Sequence, residues 1–228
     1  MNEKNEGLLT SRSTRYSTGQ RVLGSVATVG QATVFGQVMG LVATTVACTA
    51  LGGYIGRNLP RGAAIACLIG GLVCIVATMP AARRSERLGI TALFAAGLLL
   101  GLGLAPGLSR YTQAEPQVVW QAAAATALFM AGLGAVGYSI RRDLSAAYRV
   151  MFTLLLGLII FGLVVFFASI PQANVMYTVV GLGVFGGYTV LDFNLMRRAG
   201  MEDTVPLAAG IFLDVLNIFL FLLSLLRG

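Results

Sequence analysis

The sequence has 228 residues, of which 57% are hydrophobic and 11% are charged. Because soluble domains usually carry about 25% charged residues, this composition excludes a soluble globular protein and indicates an integral membrane protein. The formal net charge of +7 is explained by membrane topology and by attraction to anionic lipid, so nucleic-acid binding is not expected.

The N-terminal segment is polar and contains the stretch NEKNEGLLTSRSTRYSTGQR. It lacks the apolar core of a secretory signal peptide, so we expect an uncleaved cytoplasmic tail over residues 1–31. The membrane domain is then predicted over residues 32–228. Its first apolar span must act as the insertion signal.

A helix that crosses a bilayer needs about 20 mainly apolar residues. Seven stretches meet this requirement, at roughly 32–56, 62–80, 89–109, 117–139, 149–170, 173–193 and 205–226. The connections between them, such as ARRSERLG and RRDLSAAYR, are short and polar and leave no room for another domain. The sequence therefore predicts an all-α membrane protein with seven transmembrane helices.

The distribution of basic residues predicts the orientation, because Lys and Arg accumulate in short cytoplasmic loops. Of the 16 Lys and Arg residues, four lie on one side of the predicted membrane: Arg57, Arg61, Arg110 and Arg227. The other twelve lie in the tail and in the second, fourth and sixth connections. We therefore expect the N-terminus in the cytoplasm and the C-terminus outside. The short tails and loops favour a bacterial plasma (inner) membrane over an endomembrane.

The composition also excludes several enzymatic chemistries. The chain has no histidine, so no Ser/Cys–His–Asp arrangement is possible. The three cysteines lie inside apolar spans without the histidine or carboxylate partners that a metal site needs, so they are expected to be packing residues: Cys48, Cys67 and Cys74. No enzymatic activity and no cofactor are expected.

Two glycine-rich stretches, GLGAVG at 132–137 and GLGVFG at 181–186, match the dinucleotide-binding pattern G-x-G-x-x-G. That pattern has meaning only between a strand and a helix of a βαβ unit, whereas each stretch lies within a predicted span. Close helix packing is the expected role. The same role is expected for the G-x-x-x-G pairs Gly36/Gly40, Gly97/Gly101 and Gly183/Gly187.

Only two acidic residues, Asp192 and Asp214, fall within predicted spans. A charge in the middle of a bilayer costs about 2.5 kcal/mol or more, so such residues usually face a bundle interior or an aqueous cavity and are often functional. The alternative is that each is a neutral, hydrogen-bonded structural acid. Because the sixth and seventh spans are antiparallel, both aspartates can be measured from the same membrane boundary. Asp192 is then about 8 Å deep and Asp214 about 14 Å deep. The two carboxyl groups are therefore expected to meet and to share a proton.

The segment LDFNLMRRAGMEDTVPLAAGIFLDVLNIFLFLL resembles the C-terminal signature of the Bax inhibitor-1 family, the transmembrane Bax-inhibitor-motif proteins. The shared features are an Asp that ends span six, a Glu-Asp-x-x-Pro entry to span seven, and Leu-Asp-x-x-Asn-x-Phe. The stretch RRDLSAAY and the arginines that end span two extend the resemblance over the whole membrane region.

The resemblance implies a seven-helix bundle with the last helix at its centre that acts as a pH-sensitive calcium leak. It assigns Asp192 and Asp214 to the pH sensor and the ion path, and Arg83, or alternatively Arg84, to a latch on the pair. Calcium is then the transported ion, and two carboxylates alone would bind it weakly. Family members usually have a tyrosine before each Asp motif, where this chain has Leu191 and Phe212.

Three other classes of membrane protein are alternatives to the calcium leak. An intramembrane aspartyl protease would be expected to show Gly-x-Gly-Asp, but Val184 follows Gly-Leu-Gly here. A proton-coupled transporter would be expected to show an inverted repeat or paired broken helices, and neither is apparent. The main alternative is a non-conducting regulatory membrane protein that modulates a membrane protease or a cell-death or stress partner. Calcium ions, protons and the lipid bilayer are the expected partners, together with a possible unidentified protein.

Overall fold

The computed structural model describes residues 31–168 and 173–227. The predicted tail, apart from Gln31, lies outside the described residues, as does the connection at 169–172. The described helices are α1 (31–55), α2 (Arg61–Arg84), α3 (Glu86–Ala114), α4 (Pro116–Ser139), α5 (Ala147–Ala168), α6 (Ala173–Met196) and α7 (Thr204–Leu226). Short 3-10 turns cover Gly56–Asn58 and Met201–Asp203.

All seven predicted spans are confirmed as helices that are long and apolar enough to cross a membrane, with mean hydropathy between 1.4 and 2.3. A helix is favoured in lipid because it satisfies every backbone N–H and C=O within the segment. Several helices extend beyond the predicted apolar limits. For example, α2 continues through Pro80 to Arg84, and α3 begins at Glu86. The backbone groups of these polar terminal turns still form helical hydrogen bonds, while their side chains reach the headgroup region.

The bundle has two ends with different charge. One end is formed by the connections after α2, α4 and α6 and by the helix turns beside them, and we call it the arginine-rich end. It carries eight of the twelve arginines in the described residues: Arg83, Arg84, Arg87, Arg141, Arg142, Arg149, Arg197 and Arg198. The turn after α1 and the connection after α3 lie at the opposite end.

The last helix, α7, lies at the centre of the bundle, as predicted. It packs against α2, α3, α4 and α6, and Ala208, Ile211 and Ile218 on it are completely buried. Helix α5 packs mainly on α6, and much of its surface is exposed. This difference is expected in a membrane, where apolar side chains on outer helices face lipid and have no need to be buried.

Glycines allow close contact between α1 and α3, as predicted for one of the G-x-x-x-G pairs. A Cβ atom added at Gly97 would lie 2.7 Å from the carbonyl oxygen of Thr45, and one added at Gly101 would overlap the carbonyl oxygen of Thr49. The prediction is wrong for Gly36 and Gly40, because an added Cβ at either meets nothing within 4 Å. Their surroundings are open, so these two glycines do not serve helix contact among the described residues.

The two dinucleotide-like stretches also lie within helices. In GLGAVG, an added Cβ at Gly134 would lie 2.9 Å from the ring of Phe193, and one at Gly137 would overlap the carbonyl oxygen of Val190. In GLGVFG, an added Cβ at Gly186 would lie 2.9 Å from Leu133. These contacts join α4 to α6, so the two stretches pack against each other as helix surfaces.

Candidate functional site

The two aspartates predicted from the sequence lie on facing surfaces of α6 and α7, close to each other in the core. Both are buried, with 7% of Asp192 and 3% of Asp214 exposed. Oδ2 of Asp192 lies against Gly210, where an added Cβ would be 2.6 Å away. Gly210 precedes Asp214 by four residues, so the two acids are offset by about one helical turn.

Gly210 makes this approach possible. Any larger residue at the position would collide with the carboxyl group of Asp192, because the added atom would be closer than a van der Waals contact. The antiparallel register, with Asp192 beside Gly210, also brings the residue one turn before Asp192 beside Asp214. That residue is Thr189, whose Oγ1 lies 3.3 Å from Oδ2 of Asp214.

The carboxyl group of Asp192 accepts a hydrogen bond from a third helix. The hydroxyl of Tyr148, in the first turn of α5, lies 2.5 Å from Oδ1 of Asp192. The ring of Tyr148 lies beside that of Tyr188, with 6.2 Å between the ring centroids. Leu191 stands where the resemblance to the Bax inhibitor-1 family leads us to expect a tyrosine before Asp192. In this chain a tyrosine from α5 supplies a hydroxyl to the carboxyl group.

Neutral groups also surround Asp214. Its contact with Thr189 is shared, because the same hydroxyl donates to the carbonyl oxygen of Phe185 at 2.9 Å and lies 3.3 Å from the sulfur of Met130. Among the residues that the structure describes, no Lys or Arg side chain forms an ion pair or hydrogen bond with either aspartate. The pair is therefore surrounded by hydroxyls, a thioether and apolar side chains.

This arrangement limits what the site can hold. An ionised carboxylate in the core without a compensating cation is costly, so each acid must be protonated, or the pair must take up a cation from solution. The described residues contain no group of three or more His, Cys, Asp or Glu residues that could hold a metal ion tightly. The oxygens available to a cation are those of the two carboxyl groups and the hydroxyls of Tyr148 and Thr189.

A second polar cluster, which the sequence analysis did not predict, lies at the arginine-rich end. The side chain of Asn194 is 2% exposed and binds the backbone of the connection between α4 and α5. Its Nδ2 donates to the carbonyl oxygens of Ile140 at 2.7 Å and Arg142 at 3.2 Å, and its Oδ1 accepts from the amide of Leu144 at 3.3 Å. Asn194 therefore fixes the connection 140–146, which leads directly into Tyr148.

Charged residues also hold the connection 140–146 in place. Arg198 pairs with Asp143 at 3.0 Å and donates to Oδ1 of Asn194 at 2.5 Å. The side chain and the backbone amide of Ser145 both donate to Asp143. These hydrogen bonds from Ser145, with the nearby Arg198 guanidinium, hold the pKa of the exposed Asp143 carboxyl below its ordinary value.

The structure does not bring the predicted latch residues to the acid pair. Arg83 and Arg84 form the exposed last turn of α2, at the same end of the bundle as Arg198. Neither forms an ion pair or a hydrogen bond with a described residue. In the described conformation the two aspartates lie close together, and neither Arg83 nor Arg84 contacts them.

The fold and the site define a seven-helix integral membrane protein with a buried carboxyl pair at the interface between its last two helices. The family model described as "Inhibitor of apoptosis-promoting Bax1" matches residues 31–228, which includes every described helix. The chain therefore belongs to the Bax inhibitor-1 family, as its sequence resemblance predicted.

The chain is similar to several bacterial proteins. The chain is 29% identical over 136 residues to an uncharacterized protein of Deinococcus radiodurans, covering 56% of this chain and 58% of that protein. It is 28% identical over 150 residues to an uncharacterized membrane protein of Vibrio cholerae, covering 65% and 67%. It is 30% identical over 111 residues to the inner membrane protein YbhL of Escherichia coli, covering 44% and 47%. The alignments thus span about half to two thirds of these relatives.

Proposed function

We propose that this protein is a pH-sensitive calcium leak in which Asp192 and Asp214 form the element that binds either protons or a passing cation. The observation that carries the proposal is the burial of both carboxyl groups among neutral partners. Two carboxylates that lie about one helical turn apart in a medium of low dielectric cannot both ionise at low cost. Proton uptake and cation uptake are therefore competing ways to neutralise the same oxygens.

The ligands suit calcium as a transported ion. Calcium is a hard cation that takes six to eight oxygen ligands, and this pair with its two hydroxyl neighbours offers at most six, spread over two acids that are offset by about one helical turn. An ion that binds only part of this set must keep part of its water shell and binds weakly. Weak binding favours passage, because conduction requires that the ion can also leave.

In this proposal the arginine-rich end faces the cytoplasm, because Lys and Arg accumulate in cytoplasmic loops. The relationship to an E. coli inner membrane protein supports placement in a bacterial inner membrane. The connection 140–146, held by Asn194, leads into Tyr148, whose hydroxyl contacts Asp192. Arg83 acts as a latch in a conformation in which α2 moves its last turn towards the ionised pair. Replacement of Arg83 by Ala, or of Arg84 if that residue is the latch, then raises calcium flux at neutral pH and weakens its pH response. Arg87→Ala, an exposed arginine in the first turn of α3, is the control.

The experiment is calcium flux into liposomes that contain only the purified protein, measured from about pH 5 to 8. We expect flux that changes with pH in the wild type and is largely lost in Asp214→Asn. Asp143→Asn is the matched control, since Asp143 is an exposed acid outside the pair and its replacement should leave flux in place. Absence of flux in the wild type at every pH would overturn the leak and favour the non-conducting regulatory protein.

A further inference from the structure

A large apolar groove lies along the side of the bundle. It has a volume of about 1480 Å³ and runs between α1, α3, α4 and α7. Its α1 wall extends from Ala32 to Arg57, which is nearly the whole length of that helix. At the arginine-rich end the groove is closed by an edge-to-face contact between Phe35 and Tyr138, with 5.8 Å between the ring centroids.

The groove stays open because α4 presents small side chains to it. These residues follow one another at intervals of four along one helix face: Ala123, Ala127, Ala131 and Ala135. All four lack the atoms needed to reach α1. Since the other walls are mainly apolar as well, the space suits hydrocarbon and does not suit a column of water.

The chemistry changes at the opposite end of the groove. Arg57 is the one charged side chain among the described residues that line it, and no acidic side chain does so. The Arg57 guanidinium lies 3.9 Å from the centre of the Tyr54 ring. Tyr54 is 68% exposed, and Trp120 at the start of α4 is 77% exposed. Tyrosine, tryptophan and arginine with this exposure are typical of the headgroup level of a membrane.

We propose that this groove binds a phospholipid with an anionic headgroup, its acyl chains along the alanine face of α4 and its phosphate at Arg57. The charge of Arg57 complements the headgroup, while the apolar walls match the chains.

The position of the groove gives this lipid a route to the acid pair. Met130 lines the groove, and its sulfur lies 3.3 Å from the Thr189 hydroxyl that contacts Asp214. A bound chain therefore packs against the side chain that separates the groove from the acids. The lipid site does not depend on calcium conduction, and its test uses no flux measurement.

Trp120 provides a built-in probe because the chain has one tryptophan. The full-length protein is reconstituted in zwitterionic phosphatidylcholine that contains about 5 mol% of a lipid brominated on its acyl chains, either phosphatidylglycerol or phosphatidylcholine. Bromine quenches tryptophan on contact. A tenfold preference for the anionic lipid would place it in about one third of the grooves. We expect several-fold stronger quenching by brominated phosphatidylglycerol than by brominated phosphatidylcholine at equal content.

Variants connect this preference to Arg57. Arg57→Gln should make the two lipids quench equally, and Arg57→Lys should restore the preference because it keeps the charge. Arg61→Gln is the matched control, since Arg61 lies at the same end but does not line the groove. Equal quenching of the wild type by the two lipids, or equal loss in Arg57→Gln and Arg61→Gln, would overturn the proposal. Equal quenching together with concentration-dependent self-association would instead identify a second copy as the occupant.

Discussion

Replacement of Asn194 by leucine tests how the connection 140–146 is held in place at the arginine-rich end. Leucine has nearly the same size but can neither donate to the carbonyl oxygens of Ile140 and Arg142 nor accept from Arg198. These carbonyl groups lie near the membrane surface, where water can replace part of what is lost. We therefore count only the two shortest hydrogen bonds, 2.7 Å to Ile140 and 2.5 Å from Arg198.

Each such bond contributes about 1 kcal/mol net, so the closed connection loses about 2 kcal/mol. This loss raises the fraction of molecules with an open connection about 30-fold. Cleavage by a protease follows the open fraction when opening is fast relative to cleavage. Limited trypsin digestion of the protein in detergent, with fragments identified by mass, should therefore show faster cutting after Arg141 and Arg142 by a similar factor.

Asn217→Leu is the control for this substitution. Asn217 is also an asparagine on a membrane helix, but its Nδ2 donates within α7 to the carbonyl oxygen of Leu213 at 2.8 Å. Its replacement should leave cutting after Arg141 and Arg142 unchanged. The account of the connection is refuted if Asn194→Leu is cut there no faster than wild type, or if the two variants are cut equally fast.

Three further predictions concern the pair, its packing and the topology. Tyr148→Phe removes a hydrogen bond that favours ionised Asp192, and such a bond contributes about 1.5–3 kcal/mol. The midpoint of the pH profile of calcium flux should therefore move upward by about one to two pH units. Tyr177→Phe is the control and should leave this midpoint unchanged. Gly210→Ala forces an atom against Asp192 and should destabilise the protein by about 1–3 kcal/mol, seen as a lower unfolding temperature in detergent, whereas Gly132→Ala, with nothing within 4 Å, should not. A reporter fused after Gly228 should lie outside the cell and one inserted in the 140–146 connection inside; finding both on one side contradicts the orientation.

The spans and the two aspartates could be predicted from the sequence because each depends on a local property. An apolar stretch of sufficient length must cross the bilayer. An acidic residue within such a stretch is easily recognised, because placing its charge in the bilayer costs free energy. The offset of about one turn between Asp192 and Asp214 also followed from counting residues on two antiparallel helices. These predictions needed no knowledge of how the helices are rotated about their axes.

The partners of the acids could not be predicted in this way. Tyr148 belongs to a stretch already noted for its resemblance, RRDLSAAY, but only the docking of α5 on α6 directs its hydroxyl to Asp192. Asn194 carried no signal other than being a polar residue near a helix end. The role of Gly36 and Gly40 was also predicted wrongly, because the sequence does not show which helices are neighbours. A G-x-x-x-G pair shows which helix face has no side chains but not whether another helix packs on that face.

The measurement that tests the central claim most directly is calcium flux as a function of pH in liposomes that contain Asp192→Asn, Asp214→Asn or the double variant. If the two carboxyl groups act as one unit, each single variant loses most of the flux and its pH response, and the double variant loses little more, because coupled residues are not additive. Folding should survive, since a buried amide costs no more than an ionised acid, and size-exclusion chromatography checks this. A wild-type pH profile in Asp214→Asn, or losses that simply add, would contradict the claim and make the aspartates structural acids.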